Sequence, residues 1–217
     1  MSCDQLLLLS KWYQGDAGSL IEDLNYTNII GGDKLIWYTD ENNRFNGEAT
    51  VSELLKRLEP VLKMATELEI TLILETELYK NSGDPDASVK LLKQLFTHAG
   101  TKNLACNFAA NVYVAGEEPF PFAYEELKPW IRYVHIKDVR ELVTGVHTIE
   151  KARGYLQDGL KSGTCCPIGK GAINYVGLLN ALKEDNYDGY LSMELHMKNQ
   201  YQDVTLKDSL DFIRNYW

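Results

Sequence analysis

PIGKGAINYVGLLNALKEDNYDGYLSMELH, residues 167–196, holds a complete turn, helix and strand in one short stretch. Gly169 and Gly171 flank Lys170 in a turn, and then Ile173, Val176, Leu179 and Leu182 recur every third residue, which predicts one apolar helix face with Asn174 as its cap. The apolar run from Gly189 to Leu195 predicts a strand that ends on Glu194 and His196. A helix that hands over to a strand with polar residues at its carboxyl end is the unit of a parallel α/β sheet, whose active sites are assembled from the loops after the strands.

The same alternation runs upstream. Strands are predicted at Lys34–Tyr38, Ile70–Glu75, Asn103–Phe108 and Ile131–Lys137, with a further one near Thr164–Ile168. Between them, Val51, Leu54, Leu55, Leu58, Val61, Leu62, Ala65 and Leu68 form a helix stripe behind caps at Thr50 or Ser52, and Leu91, Leu92, Leu95, Phe96 and Ala99 form another, ended by Gly100. Leu206, Leu210 and Ile213 make a last one. Residues 140–171 are glycine-rich and read as a long connection. The segment 1–33 offers only Leu6–Leu9 and Ile29–Ile30 as short apolar runs. The fold class is therefore α/β, a TIM (β/α)8-type barrel spanning residues 1–217 as one domain with an atypical segment at 1–33. Such barrels typically need about 250 residues. At 217 residues the chain is shortened, completed by a partner, or compressed in its first units.

Composition narrows the function. The chain is 45% hydrophobic and 24% charged, as an ordinary globular domain is, and its longest aliphatic run is far below the roughly 20 residues of a membrane span. Asp4 stands where a secretory signal needs positive charge, so a cytoplasmic protein without membrane association is expected. Thirty-one acidic against 22 basic side chains give a net charge of -9, which disfavours nucleic acid as a partner. Cys3, Cys106, Cys165 and Cys166 show no zinc or disulfide spacing and suit a reducing compartment. The adjacent Cys165 and Cys166 leave open an exposed thiol, against the plainer reading of two loop residues.

Polar residues gather at the carboxyl ends of four predicted strands: Glu75 and Glu77, Asn107 and Asn111, His135 with Lys137 and Asp138, and Glu194 with His196. Two carboxylates and an imidazole meeting at one point are ligands for a divalent cation such as Mn²⁺, Zn²⁺ or Mg²⁺. Strand alternation puts His135 and Lys137 on one face and Val134 and Ile136 on the other. Lys137 is suited to a substrate oxygen or phosphate, or else to an internal ion pair with Asp138. Lys170, just before a helix expected from about Ala172, is placed to bind an anionic group at a helix amino end.

Residues 116–139 (GEEPFPFAYEELKPWIRYVHIKDV), residues 167–196 and LILETE at 72–77 together resemble the xylose isomerase-like TIM barrels, the sugar phosphate isomerases and epimerases, over roughly residues 34–217. The resemblance implies a divalent metal held by a Glu, an Asp, a His and a second Glu. Glu75, His135 and Glu194 match three of these, and Glu75 and Glu194 also match the catalytic proton carriers. Where the family reads D-P-A-N, this chain reads Phe108-Ala109-Ala110-Asn111, so the Asp falls on Phe108, with Asn111 retained as a substrate-binding position. Phenylalanine cannot ligate, so Asn107 or a water substitutes, or the site binds metal weakly or not at all.

The resemblance implies a metal-dependent isomerase or epimerase of a sugar or sugar phosphate, working by Glu-mediated proton transfer next to a carbonyl. The alternative is a barrel that binds sugar or serves as a structural subunit after losing part of its metal site. The related endonuclease branch would need a three-zinc cluster with more histidines than the four present. Members of the family begin with two strand-helix units that the segment 1–33 does not obviously contain. Open sheet edges leave room for a homo-oligomer.

Overall fold

The computed structural model describes residues 7–12, 17–39, 48–75, 85–109, 119–139, 165–194 and 202–217. Strands β1 (Leu7–Trp12), β2 (Lys34–Thr39), β3 (Thr71–Glu75), β4 (Leu104–Ala109), β5 (Ile131–Ile136) and β8 (Tyr190–Met193) form one six-stranded sheet in the order β1-β2-β3-β4-β5-β8. The β1–β2, β2–β3, β3–β4 and β5–β8 pairings are parallel. The intervening helices are α1 (Ala17–Ile29), α2 (Glu48–Glu67), α3 (Pro85–Ala99), α4 (Pro119–Leu127) and α5 (Tyr175–Glu184), and α6 (Gln202–Tyr216) follows β8. This is an α/β fold whose strand order is consistent with an incomplete (β/α)8 barrel. Among the described residues, no helix is long and apolar enough to cross a membrane.

By density of internal contacts the chain falls into two compact units. The first gathers β1, α1, β2, α2, β3, α3, β4 as far as Asn107, and residues 127–132. Its core follows the helix periodicities: Val51, Leu54, Leu58, Val61 and Ala65 of α2, and Val89, Leu92, Leu95 and Phe96 of α3, are buried. Leu72, Ile73 and Leu74 are buried in succession on β3, as expected of a parallel strand covered on both faces. Gly100 ends α3 with a φ of 58°, the left-handed conformation that glycine adopts without strain. Asn103, itself buried, donates through Nδ2 to the carbonyls of Ile70 at 2.8 Å and Ala65 at 3.4 Å, tying the turn before β4 to the one before β3.

The second unit holds Phe108 and Ala109, α4 through Glu126, and the chain from Tyr133 onward. Here β6 (Asp138–Val139) and β7 (Cys165–Cys166) form a separate two-stranded antiparallel sheet. Tyr124 of α4 is buried and donates to the Asp185 carboxylate at the end of α5, 2.7 Å away. Leu178, Leu179 and Leu182 of α5 complete the core with Ile168 and Tyr175.

Several expectations change. The segment 1–33 does contain a strand-helix unit: β1 pairs in register with β2, and Leu20 and Leu24 of α1 are buried. Ile29 ends α1 and Ile30 lies in the turn after it, both exposed, rather than in a strand. The strand expected near 164–168 is two residues long and antiparallel to β6, outside the parallel sheet. Helix α2 starts at Glu48, ahead of the caps expected at Thr50 or Ser52, and α4 was not anticipated because its Pro119 and Pro121 interrupt the helical pattern. Cys166 is buried, so it is not an exposed thiol, and the side chain of Cys165 lies outside the described residues. Asn111, Glu77, His196 and His147 lie outside the described residues.

Candidate metal centre

The β5–β8 register assembles the polar residues of the second unit. Tyr133 pairs with Tyr190, His135 with Ser192 and Ile136 with Met193. The ladder runs one step beyond β8, where the Glu194 amide donates to the Ile136 carbonyl at 3.0 Å. Lys137 and Glu194 are thereby the next neighbours in line, and alternation sets them on the face that carries His135. Side-chain geometry agrees: Lys137 Nζ lies 3.2 Å from Glu194 Oε1, and His135 Nδ1 lies 3.7 Å from Glu194 Oε2. His135 and Lys137 retain only 12% and 13% side-chain exposure, while Glu194 keeps 31%, so the carboxylate is the most accessible of the three. Below them on the same face, Tyr133 meets the imidazole edge-on at 5.5 Å and gives it an apolar backing.

Glu75 closes β3, half-buried after the buried run Leu72–Leu74. Glu75, His135 and Glu194 each offer one ligand atom, and these atoms lie within 4.8 Å of one another. Two carboxylate oxygens and an imidazole nitrogen fit a divalent ion chemically. An ion bound at about 2.1 Å sets its ligands roughly 3–3.5 Å apart. The His135–Glu194 separation of 3.7 Å is close to that. Three protein ligands would leave further coordination positions of such an ion open.

Strand β4 explains the missing ligand. Asn107 is the register partner of Glu75, so it occupies the Glu75 face, and the next residue on that face is Ala109. Phe108 points the other way, fully buried and edge-on to Tyr124 at 5.9 Å. Asn107 therefore shares the sheet face of Glu75, whereas Phe108, the position that matches the family Asp, lies on the other face. The period-two alternation of LACNFA carries this information in the sequence itself.

Asp138 has a role that the sequence reading missed. It is fully buried, and its Oδ2 accepts from the amides of Gly169 and Gly171, both at 2.9 Å, while Oδ1 accepts from Ile173 at 3.3 Å. Lys137 reaches Glu194, and the Tyr175 hydroxyl donates to its carbonyl at 2.9 Å. The helix expected from Ala172 begins at Tyr175, with the Asn174 side chain accepting from the Gly177 amide at 2.9 Å. Lys170 is exposed on the turn that Asp138 organises, so an anion there would meet an ammonium beside amides already bound to a carboxylate. An Asp followed some way downstream by Gly-x-Gly-x-Ile was the available signal.

The sequence profile of the family described as xylose isomerase-like TIM barrel matches residues 19–216. The chain belongs to that family. Among solved structures, this xylose isomerase-like barrel resembles a xylose isomerase domain protein from Planctomyces limnophilus with a TM-score of 0.68 at 18% identity, over 92% of this chain and 65% of that one. It resembles the IOLI protein with a bound zinc atom with a TM-score of 0.68 at 17% identity, over 97% and 77% of the two chains. The D-psicose 3-epimerase of Clostridium cellulolyticum H10, solved with D-tagatose, gives 0.65 at 13% identity over 92% and 70%. The barrel thus spans about two thirds to three quarters of the length of these proteins. No curated protein matches the sequence.

Proposed function

We propose that the protein is a divalent-metal-dependent isomerase or epimerase acting on a sugar or sugar phosphate. The observation that carries this reading is the convergence of Glu75, His135 and Glu194 at strand ends of a xylose isomerase-like fold. Similar folds that hold zinc, or that act as a ketose 3-epimerase, support it. Glu75, His135 and Glu194 would hold the ion, which when bound supplies Lewis-acid polarisation of the substrate carbonyl.

The remaining chemistry belongs to the chain. Glu75 and Glu194 are the acid-base pair: one carboxylate takes the proton from the carbon beside the carbonyl and the other delivers a proton to complete the isomerisation or epimerisation. Lys137, on the His135 face, offers its ammonium to a substrate oxygen. The Tyr133 ring beneath His135 keeps water from that side of the imidazole. Lys170 and Asn111 are the further substrate-binding residues of this reading.

The test is elemental analysis after incubation with Mn²⁺, Zn²⁺ and Mg²⁺, followed by incubation with ketoses and ketose phosphates in deuterated water. About one ion per chain, lost in Glu194→Gln, with deuterium entering product at the carbon next to the carbonyl, is the expected result. Absence of bound metal under every condition would remove the metal-dependent mechanism. A second reading, a sugar-binding barrel without turnover, draws on Phe108 standing at the family Asp position in the sequence and on the uncharged Asn107 as register partner of Glu75. Saturable sugar binding with no deuterium incorporation would favour it.

A further inference from the structure

We propose that Lys137 is a built-in competitor for the divalent ion, holding one oxygen of Glu194 and thereby setting how tightly the site binds metal. This rests on the metal-centre reading above. The two oxygens of Glu194 face different groups: Oε1 is 3.2 Å from Lys137 Nζ, and Oε2 is 3.7 Å from His135 Nδ1.

The pairing is imposed by the backbone. The Glu194 amide is bonded to the Ile136 carbonyl, which brings Glu194 level with Lys137, and Tyr175 fixes the Lys137 peptide from both sides, its hydroxyl 2.8 Å from the Lys137 amide and 2.9 Å from the carbonyl. With 13% of its side chain exposed, Lys137 has little room to turn away into solvent, and salt screens such a pair less than a surface one.

An incoming ion therefore meets an ammonium already seated on one of its ligands. Either it takes Oε2 and tolerates a like charge across the same carboxylate, or it displaces Lys137 from Oε1; both weaken binding. The register partner of Glu75 is Asn107, which adds no carboxylate to offset the ammonium. Displaced from Glu194, the ammonium becomes available to a substrate oxygen at the same strand ends.

Calorimetric titration of Mn²⁺ and Zn²⁺ into wild type, Lys137→Met and Lys137→Gln tests this without reference to turnover. Methionine keeps the apolar stem of the side chain, and glutamine keeps a polar end, so the two variants guard against a folding defect in either. The expected result is a Kd lowered about tenfold in both, equivalent to about 1.4 kcal/mol, with the gain abolished by adding Glu194→Gln. Binding seen only in the variants gives the same support. Unchanged or weaker binding in folded variants overturns the competitor role and leaves the metal centre intact. Lack of binding in wild type and variants alike overturns the metal-centre reading, and this inference with it.

Discussion

Glu75 and Asn107 are register partners on adjacent parallel strands, so the neighbour of one candidate ligand on its own sheet face is an uncharged amide. Asn107→Asp would place a third carboxylate on that face. In the presence of a chelator the variant should be less stable, by about 2–4 kcal/mol, because a charge would be buried close to Glu75. Saturating Mn²⁺ should restore most of this loss and bind at least about tenfold more tightly than in wild type. Thermal melts with and without the ion check both halves. A variant whose melting temperature ignores Mn²⁺ would count against Asn107 lying at the metal face.

Much of this was legible in the sequence, because strands with buried faces and amphipathic helices write their periods into the chain. The alternation of IRYVHIKD sets His135 and Lys137 on one face, and among the polar residues at four strand ends the family resemblance singles out Glu75, His135 and Glu194. Less visible was β1 with α1, since Leu7–Trp12 carries Ser10 and Lys11 among its apolar residues and α1 buries only Leu20, Leu24 and Thr27. Asp138 left only an indirect signal, the Gly-x-Gly-x-Ile turn downstream, because its partners are backbone amides with no residue type to read. That Phe108 packs on Tyr124 while Asn107 takes the Glu75 face follows from the pleat, which a residue-by-residue motif match does not carry.

The three amides bound to Asp138 make a second prediction. Asp138→Asn keeps one acceptor oxygen and turns an amide nitrogen toward a backbone donor, so at least one of the three bonds is lost inside a buried site. Unfolding in urea should show a loss of about 2–3 kcal/mol. A change no larger than that of an ordinary surface substitution would mean that the clamp contributes little.

Gly169 is constrained twice. Its φ is 81°, and a Cβ there would run into the ring of Phe212 on α6. Gly169→Ala should destabilise the protein by at least about 2 kcal/mol, combining the left-handed backbone penalty with the clash. Phe212→Leu in the same chain should recover the steric part and leave a backbone cost of about 1–2 kcal/mol. Simple additivity of the two substitutions in a double-mutant cycle would rule out the contact as the cause.

Cys106 lies within the fully buried run of β4, and burial pushes its thiol far above the ordinary cysteine range. It should resist iodoacetamide in mildly alkaline buffer while the protein is folded, and become labelled only on unfolding. Peptide mass spectrometry before and after denaturation distinguishes the two states. Rapid labelling under native conditions would show that β4 opens locally.

The turn held by Asp138 also has a kinetic signature. Gly169, Gly171 and Ile173 lie in no helix or strand, yet all three amides end on one carboxylate from a residue 31 to 35 positions earlier in the chain. Their protons should exchange with solvent slowly and at nearly one common rate, since they share a single latch whose release exposes all three together, where an ordinary loop would exchange each amide on its own clock.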